Sequence, residues 1–323
     1  MSSPNTIDIP QLVNSTILSL SSLSINTSQI EEIRKNIQNQ FSQMNDILFV
    51  KKDDNLSIEL INYISNSAFI FVGFSNLLNL TVEERKQFTI IFTGSISQHD
   101  NDGKYPVADF IKRNVIIIDT LLGFYERPEL AVSTGEMLRL CVKHEELADE
   151  LFKSNRIDKL FSYFSAPNFD ISADSFATFR FLLLNAPQAE EYLKNNSNFI
   201  IEKLYSTLDE DNYAGCRQTL KLIGEIIIKY QSFQDIYLQD QENLMVIMDL
   251  MTSKYHNISM EAFHVFKLFV VNENKTEPIL KILRANADKL IPYIDDLLGD
   301  TDDEDLKVEK HYLLMQLKLL IPK

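Results

Sequence analysis

Five segments of one pattern, QFTIIF, EMLRLC, TFRFLL, TLKLIG and AFHVFK, recur along the chain and bring Phe88, Met137, Phe179, Leu220 and Phe263 into a common register. These positions stand roughly 41–49 residues apart, the period of HEAT and armadillo units. Each segment is followed by a polar break and another apolar helical stretch. A unit of that kind cannot bury its apolar face until a neighbour stacks on it. The expected fold is all-α, a curved right-handed solenoid of armadillo/HEAT-like helical repeats. Residues 1–25, rich in Ser and Asn, are expected to form a flexible tail running into a short helix, and residues 26–323 a single helical-repeat domain.

Composition agrees with the repeat. Only 8 Gly and 9 Pro occur in 323 residues, too little turn chemistry for sandwiches, barrels or Gly-rich nucleotide loops. The formal net charge of -15 argues against nucleic-acid or anionic-membrane partners, because each phosphate contact needs a cation. The two cysteines, Cys141 and Cys216, sit inside apolar helical patterns and are expected as buried free thiols of a reducing compartment. The start, MSSPNTIDIPQLV, lacks a basic n-region and a continuous apolar core. Apolar clusters such as Ala68–Phe74 and Asn114–Leu122 are too short or interrupted to span a bilayer. A soluble, cytoplasmic protein is expected. A monomer is expected too, since no heptad seam stands out.

Local signals place the elements. Thr27-Ser28 with Glu31 and Glu32 predicts a capped start to a long amphipathic helix, and Lys51–Asn55 a polar connector. Helices are predicted over Ser57–Leu80, Thr81–Ile96 (capped by Thr81), Val107–Tyr125, Pro128–His144 and Glu145–Lys153. Ser97–Pro106, SQHDNDGKYP, reads as a turn; Asp100, Asp102 and Gly103 open like a calcium loop, but Ile111 stands where an EF-hand needs its final Glu. The acidic run Gly299–Asp305 reads as a solvated loop, and Asp305–Leu320 as a helix closing the end of the stack.

No catalytic pattern is visible. His99, His144, His256, His264 and His311 form no H-E-x-x-H, and neither a G-x-S-x-G nor a phosphate-cradling Gly loop occurs. His144 reads as the polar end of a helix and His264 as a core histidine. No cofactor or metal is expected. The stretch Asn212–Phe233, NYAGCRQTLKLIGEIIIKYQSF, is distinctive in another way. At helical period Tyr213, Arg217 and Lys221 share one face, while Leu220, Ile223, Ile226 and Ile227 fall largely on the other. Such a cationic strip in an acidic chain fits an acidic partner. It equally fits a solvated helix face, with Lys221 and Glu225 as an ordinary i,i+4 pair.

From YERPELAVSTGEMLRLCVKHEELA (Tyr125–Ala148), through FDISADSFATFRFLL (Phe169–Leu183) and NYAGCRQTLKLIGEI (Asn212–Ile226), to NISMEAFHVFKLFVVNENKTEPIL (Asn257–Leu280), the chain resembles the calcium-binding protein 39 family of mouse-protein-25-like scaffolds. The resemblance covers about residues 105–290. It implies a non-catalytic horseshoe of armadillo-like repeats that binds a pseudokinase or a germinal-centre (sterile-twenty-like) kinase and holds it in its active conformation; relatives are also linked to nuclear-Dbf-related kinases in cell polarity. It further implies a pocket for a partner's C-terminal aromatic-acidic-aromatic tail at Arg217 and Met248. The implied concave kinase-binding face carries Phe169, Tyr213, Lys221 and Phe233. Two departures from the family pattern fall nearby: Tyr230 replaces a basic residue ahead of Phe233, and Ala285, beside Arg284, replaces a lysine. An α-solenoid adaptor without kinase activation is the alternative that the fold alone would allow.

Overall fold

The computed structural model describes residues 7–25, 28–50, 54–299 and 304–321. Among the described residues there are nineteen α-helices and no strand. The chain divides into two compact units, Met1–Ala189 and Glu190–Lys323.

The first unit contains α1 (Ile9–Ser22), α2 (Ile30–Asn45, continued by a π-helical turn Asp46–Val50), α3 (Asp54–Ser65), α4 (Phe69–Asn76) and α5 (Val82–Ser97). After these come α6 (Pro106–Arg113), α7 (Ile116–Phe124), α8 (Ala131–Cys141), α9 (Glu145–Phe152), α10 (Ser154–Ser162) and α11 (Phe169–Asn185). Packing follows the repeat: α1 lies on α2, α2 on α5, α5 on α8 and α8 on α11. Phe88, Met137 and Phe179, the register residues of α5, α8 and α11, are all fully buried. Around Phe88 the rings of Phe41, Phe69 and Phe74 lie at centroid distances of 6.1, 5.7 and 5.8 Å, so one aromatic from the repeated helix is held by two earlier helices, α2 and α4.

Polar ties lock the same ladder. Thr81 caps α5 as predicted, in a full capping box with Glu84. The Glu84 carboxylate, wholly buried, also accepts from Arg34 Nη1 of α2 at 2.5 Å. Between α8 and α11, Arg139 reaches both carboxylate oxygens of Asp174, and the Tyr125 hydroxyl donates to Asp174 Oδ1 at 2.7 Å. Burial beside that carboxylate pushes the Tyr125 phenol well above its ordinary pKa. Gly135 makes the approach possible: a Cβ there would lie 1.6 Å from Asp174 Oδ1 and 2.6 Å from Arg139 Nη1.

The second unit opens within α12 (Ala189–Asn195) and continues through α13 (Ser197–Tyr205), α14 (Tyr213–Lys229), α15 (Gln231–Tyr237), α16 (Gln241–Met251), α17 (His256–Val271), α18 (Glu277–Leu298) and α19 (Glu304–Leu320). Here α14 packs on α17, α16 on α17 and α18, and α19 on α17 and α18. Leu220 and Phe263 are fully buried, which completes the register.

Several boundaries differ from expectation for local reasons. Ser57–Leu80 is not one helix: α3 stops at Ser65, and the next helical segment leaves at 70° to it. Asn66 Nδ2 and Ser67 Oγ bond back to the carbonyls of Asn62 and Ile64, and Ser67 Oγ accepts from Phe69 N; short polar side chains here compete with the helical ladder. Val107–Tyr125 is likewise broken at Asn114, whose amide caps back onto the Phe110 carbonyl. His144 does not end a helix. It stands at the N-cap of α9, half-buried, its Nε2 3.0 Å from the Ile96 carbonyl. The Ser97–Pro106 stretch is a turn in which Asp100 Oδ1 accepts from Asp102 N and Lys104 N, with Gly103 at φ 75. Thr27 of the predicted cap, Lys51–Asp53 of the connector and most of the acidic run lie outside the described residues; α2 starts at Ile30 without a side-chain cap.

No single described helix is long and apolar enough to cross a membrane. The bent pair of α3 and Phe69–Asn79 qualifies only by length and composition, and Leu60, Ile61, Ile64, Phe69, Ile70 and Phe74 from it are buried in the core of the first unit.

Candidate partner-binding surface

Helix α14 divides as its sequence pattern predicts. Leu220, Ile223, Ile226 and Ile227 are buried, and Arg217 and Lys221 are exposed. Asn212 caps the helix by accepting from Gly215 N at 3.1 Å, which fixes the register of Tyr213 one residue later.

The exposed strip is held in place by α17. Asn257 Nδ2 donates to the Tyr213 hydroxyl at 2.7 Å, and Arg217 Nε donates to Glu261 Oε1 at 3.2 Å. In both pairs the partner lies 44 residues downstream, one repeat later. The Tyr213 ring meets Tyr255 edge-on at 5.4 Å, and Lys254 Nζ stands 4.9 Å above the Tyr255 ring. This arrangement orients two phenols and a guanidinium while leaving the Arg217 side chain 49% exposed. An oriented, half-open guanidinium suits a planar carboxylate, which it can bind through two parallel hydrogen bonds.

Met248 sits half-buried on α16, which packs on α17 and α18. Thus Arg217 and Met248 stand on two different helices, α14 and α16, that each pack against α17. One turn before Met248, Met245 is 48% exposed, so α16 offers flexible thioether surface able to adapt to an aromatic ring. Phe169 belongs to the first unit, at the first turn of α11 behind the Asn168 cap, and is 72% exposed. Phe233 differs from the expectation of a contact face. It is fully buried, stacked on Tyr237 at 5.8 Å, so it can act only by supporting the elements around it. Of the departures, Tyr230 is buried at the junction of α14 and α15, whereas Ala285 and Arg284 are exposed, Arg284 pairing with Glu277 at 3.2 Å.

A family model described as Mo25-like matches residues 2–321. The chain belongs to the Mo25-like family. Relatives similar to it include a calcium-binding protein 39-like protein of Mus musculus, 34% identical over 296 residues that cover 89% of this chain and 86% of the relative. The Mo25-like protein of Schizosaccharomyces pombe is 33% identical over 93% of each chain. A degreening-related dee76 protein of Auxenochlorella protothecoides is 32% identical over 91% of this chain and 94% of the relative.

In this Mo25-like chain neither thiol is accessible. Both cysteines are free and buried; burial pushes the Cys141 thiol up to about 12 and Cys216 up to about 11. Thiols held so far above neutral pH carry almost no thiolate. Burial lowers the pKa of His144 and of His264, and His144 is engaged by Ile96 and by the edge of Tyr105 at 4.8 Å. Among the described residues no three His, Cys, Asp or Glu side chains converge as a metal cage.

Proposed function

We propose that this chain is a non-catalytic scaffold that binds a protein kinase or pseudokinase and stabilises its active conformation. Membership of the Mo25-like family supports that reading. The observation that carries it to particular residues is the half-open Arg217 guanidinium, oriented by Glu261 in a chain of net charge -15. Arg217 receives the acidic group of a partner's aromatic-acidic-aromatic tail, and Met248 supplies the apolar wall for one of its rings. Tyr213 and Lys221 of the second unit and the exposed ring of Phe169 in the first each contact the kinase domain, and Phe233 supports the second unit from its core. The partner belongs to the germinal-centre/sterile-twenty-like or the nuclear-Dbf-related class, and the encounter takes place in the cytoplasm. The scaffold activates by population shift: it favours the closed kinase only to the extent that it binds that state more tightly than the open one.

Arg217→Ala and Met248→Ala are each expected to weaken binding of an aromatic-acidic-aromatic tail peptide by more than about 1 kcal/mol, roughly fivefold. Both positions are at least partly exposed, so the helical circular dichroism and melting temperature should stay near wild type. Isothermal titration of the peptide measures the effect; unchanged affinity in both variants would remove the pocket from these residues.

A further inference from the structure

Glu261 orients Arg217, and it also sets a carboxylate beside the guanidinium before any partner arrives. The Glu261 side chain is 16% exposed against 49% for Arg217. On α17 it stands between buried Ile258, one turn before, and buried Val265, one turn after, which holds the carboxylate in place. Its Oε1 accepts from Arg217 Nε at 3.2 Å. A guanidinium offers two edges for paired hydrogen bonds to a carboxylate or phosphate, one that includes Nε–H and one made of the two Nη groups. Glu261 engages the first, and the second is left for a partner. Neither basic group that follows Glu261 on α17 cancels its charge. Lys267 is taken by Glu309 at 2.5 Å, and burial lowers the pKa of His264, which keeps that imidazole neutral at neutral pH. An incoming anion therefore meets Arg217 with another anion already at its side.

Resting on the reading of Arg217 as the acceptor of a partner's acidic group, we propose that Glu261 determines the specificity of this surface. It presents the Nη edge of Arg217 and, by its own charge, makes the surface take a carboxylate in preference to a phosphate. A carboxylate brings one negative charge and a phosphorylated side chain about two at neutral pH, so repulsion from Glu261 falls harder on the phosphate. The same repulsion tempers the affinity for a carboxylate. The two roles of Glu261 separate on substitution. Glu261→Gln keeps an acceptor oxygen for Arg217 Nε and removes the charge, whereas Glu261→Ala removes both. Gln against Glu therefore isolates the charge, and Gln against Ala, both neutral, isolates the positioning of Arg217.

Isothermal titration of the full chain with two aromatic-acidic-aromatic peptides, one with Glu and one with phosphoserine at the acidic position, tests this. Wild type should bind the Glu peptide more tightly. At low salt Glu261→Gln should tighten the Glu peptide roughly threefold or more, and the phosphoserine peptide by a larger factor. Glu261→Ala should bind both peptides roughly threefold more weakly than Glu261→Gln, because an unheld arginine must be ordered on binding. Added salt should shrink the difference between Gln and Glu and leave that between Gln and Ala. Arg217→Ala, titrated alongside, separates this inference from the reading beneath it. If Arg217→Ala binds the Glu peptide as wild type does, the reading of the surface fails and the inference falls with it. If Arg217→Ala binds more weakly, the reading stands, and any of three results overturns the inference: a wild-type preference for phosphoserine, a Glu261→Gln that tightens neither peptide or both equally, or a Glu261→Gln that binds no better than Glu261→Ala.

Discussion

Gly135→Ala is expected to destabilise the first unit by about 3 kcal/mol, the range of overpacking combined with a disturbed, partly buried ion pair. The new methyl would lie 1.6 Å from the present position of Asp174 Oδ1. Neither helix can yield cheaply: Asp174 is held by Arg139 and Tyr125, and Arg139 also donates to Thr178 at 2.8 Å. The residue that would have to move is the one that unites α8 and α11. Asp174→Ala is expected to cost a similar amount for a different reason, since it leaves the Arg139 guanidinium and the Tyr125 hydroxyl without their shared carboxylate. The double variant should be less destabilised than the sum of the two, because truncating Asp174 also removes the atom with which the new methyl would collide. Urea denaturation of the three variants gives the coupling directly; strict additivity would mean that the close approach is not what Gly135 serves.

Phe88→Ala is the second large effect, expected to cost about 3–5 kcal/mol. The ring is fully buried and shared among Phe41, Phe69 and Phe74, so its removal opens a cavity lined by α2, α4 and α5, which cannot all collapse into it. The Phe88 ring also fills the space left by Gly73, where a Cβ would lie 2.1 Å from it. Chemical denaturation followed by circular dichroism measures the loss; a cost below about 1 kcal/mol would mean that Phe88 is not the keystone of its repeat.

The recurrence of Phe88, Met137, Phe179, Leu220 and Phe263 made the all-helical repeat legible, because a residue that must be buried in every unit leaves its spacing in the sequence. The same spacing carries a signal that pattern reading of single helices missed. Tyr213 with Asn257 and Arg217 with Glu261 are both 44 residues apart, and Lys267 with Glu309 42 apart; a cation matched by a carboxylate one repeat later marks two helices that stack. Helix breaks were less visible. Asn66, Ser67 and Asn114 end helices through side-chain bonds to nearby carbonyls, and the same residue types elsewhere sit in helices without breaking them. Arg217 and Lys221 were recognisable as an exposed strip because their neighbours are so uniformly apolar. The burial of Phe233 was not, since an aromatic beside a helix junction has the same local pattern whether it faces solvent or Tyr237. Nor was the exposure of Val308, Tyr312, Met315 and Leu319, because α19 carries apolar residues on both faces and only packing decides which face is covered.

The central claim is that this scaffold activates a kinase through the Arg217 surface. It is tested most directly by capturing partners from a lysate of the source cell on the wild-type chain and on Arg217→Ala/Met248→Ala, identifying the proteins lost, and then assaying the identified kinase with and without saturating chain. The expected result is loss of a germinal-centre-type, pseudokinase-containing or nuclear-Dbf-related complex from the double variant, and a kinase rate that rises with wild-type chain and not with the variant. A kinase that binds both chains equally, or whose rate is indifferent to the wild-type chain at saturation, would contradict it.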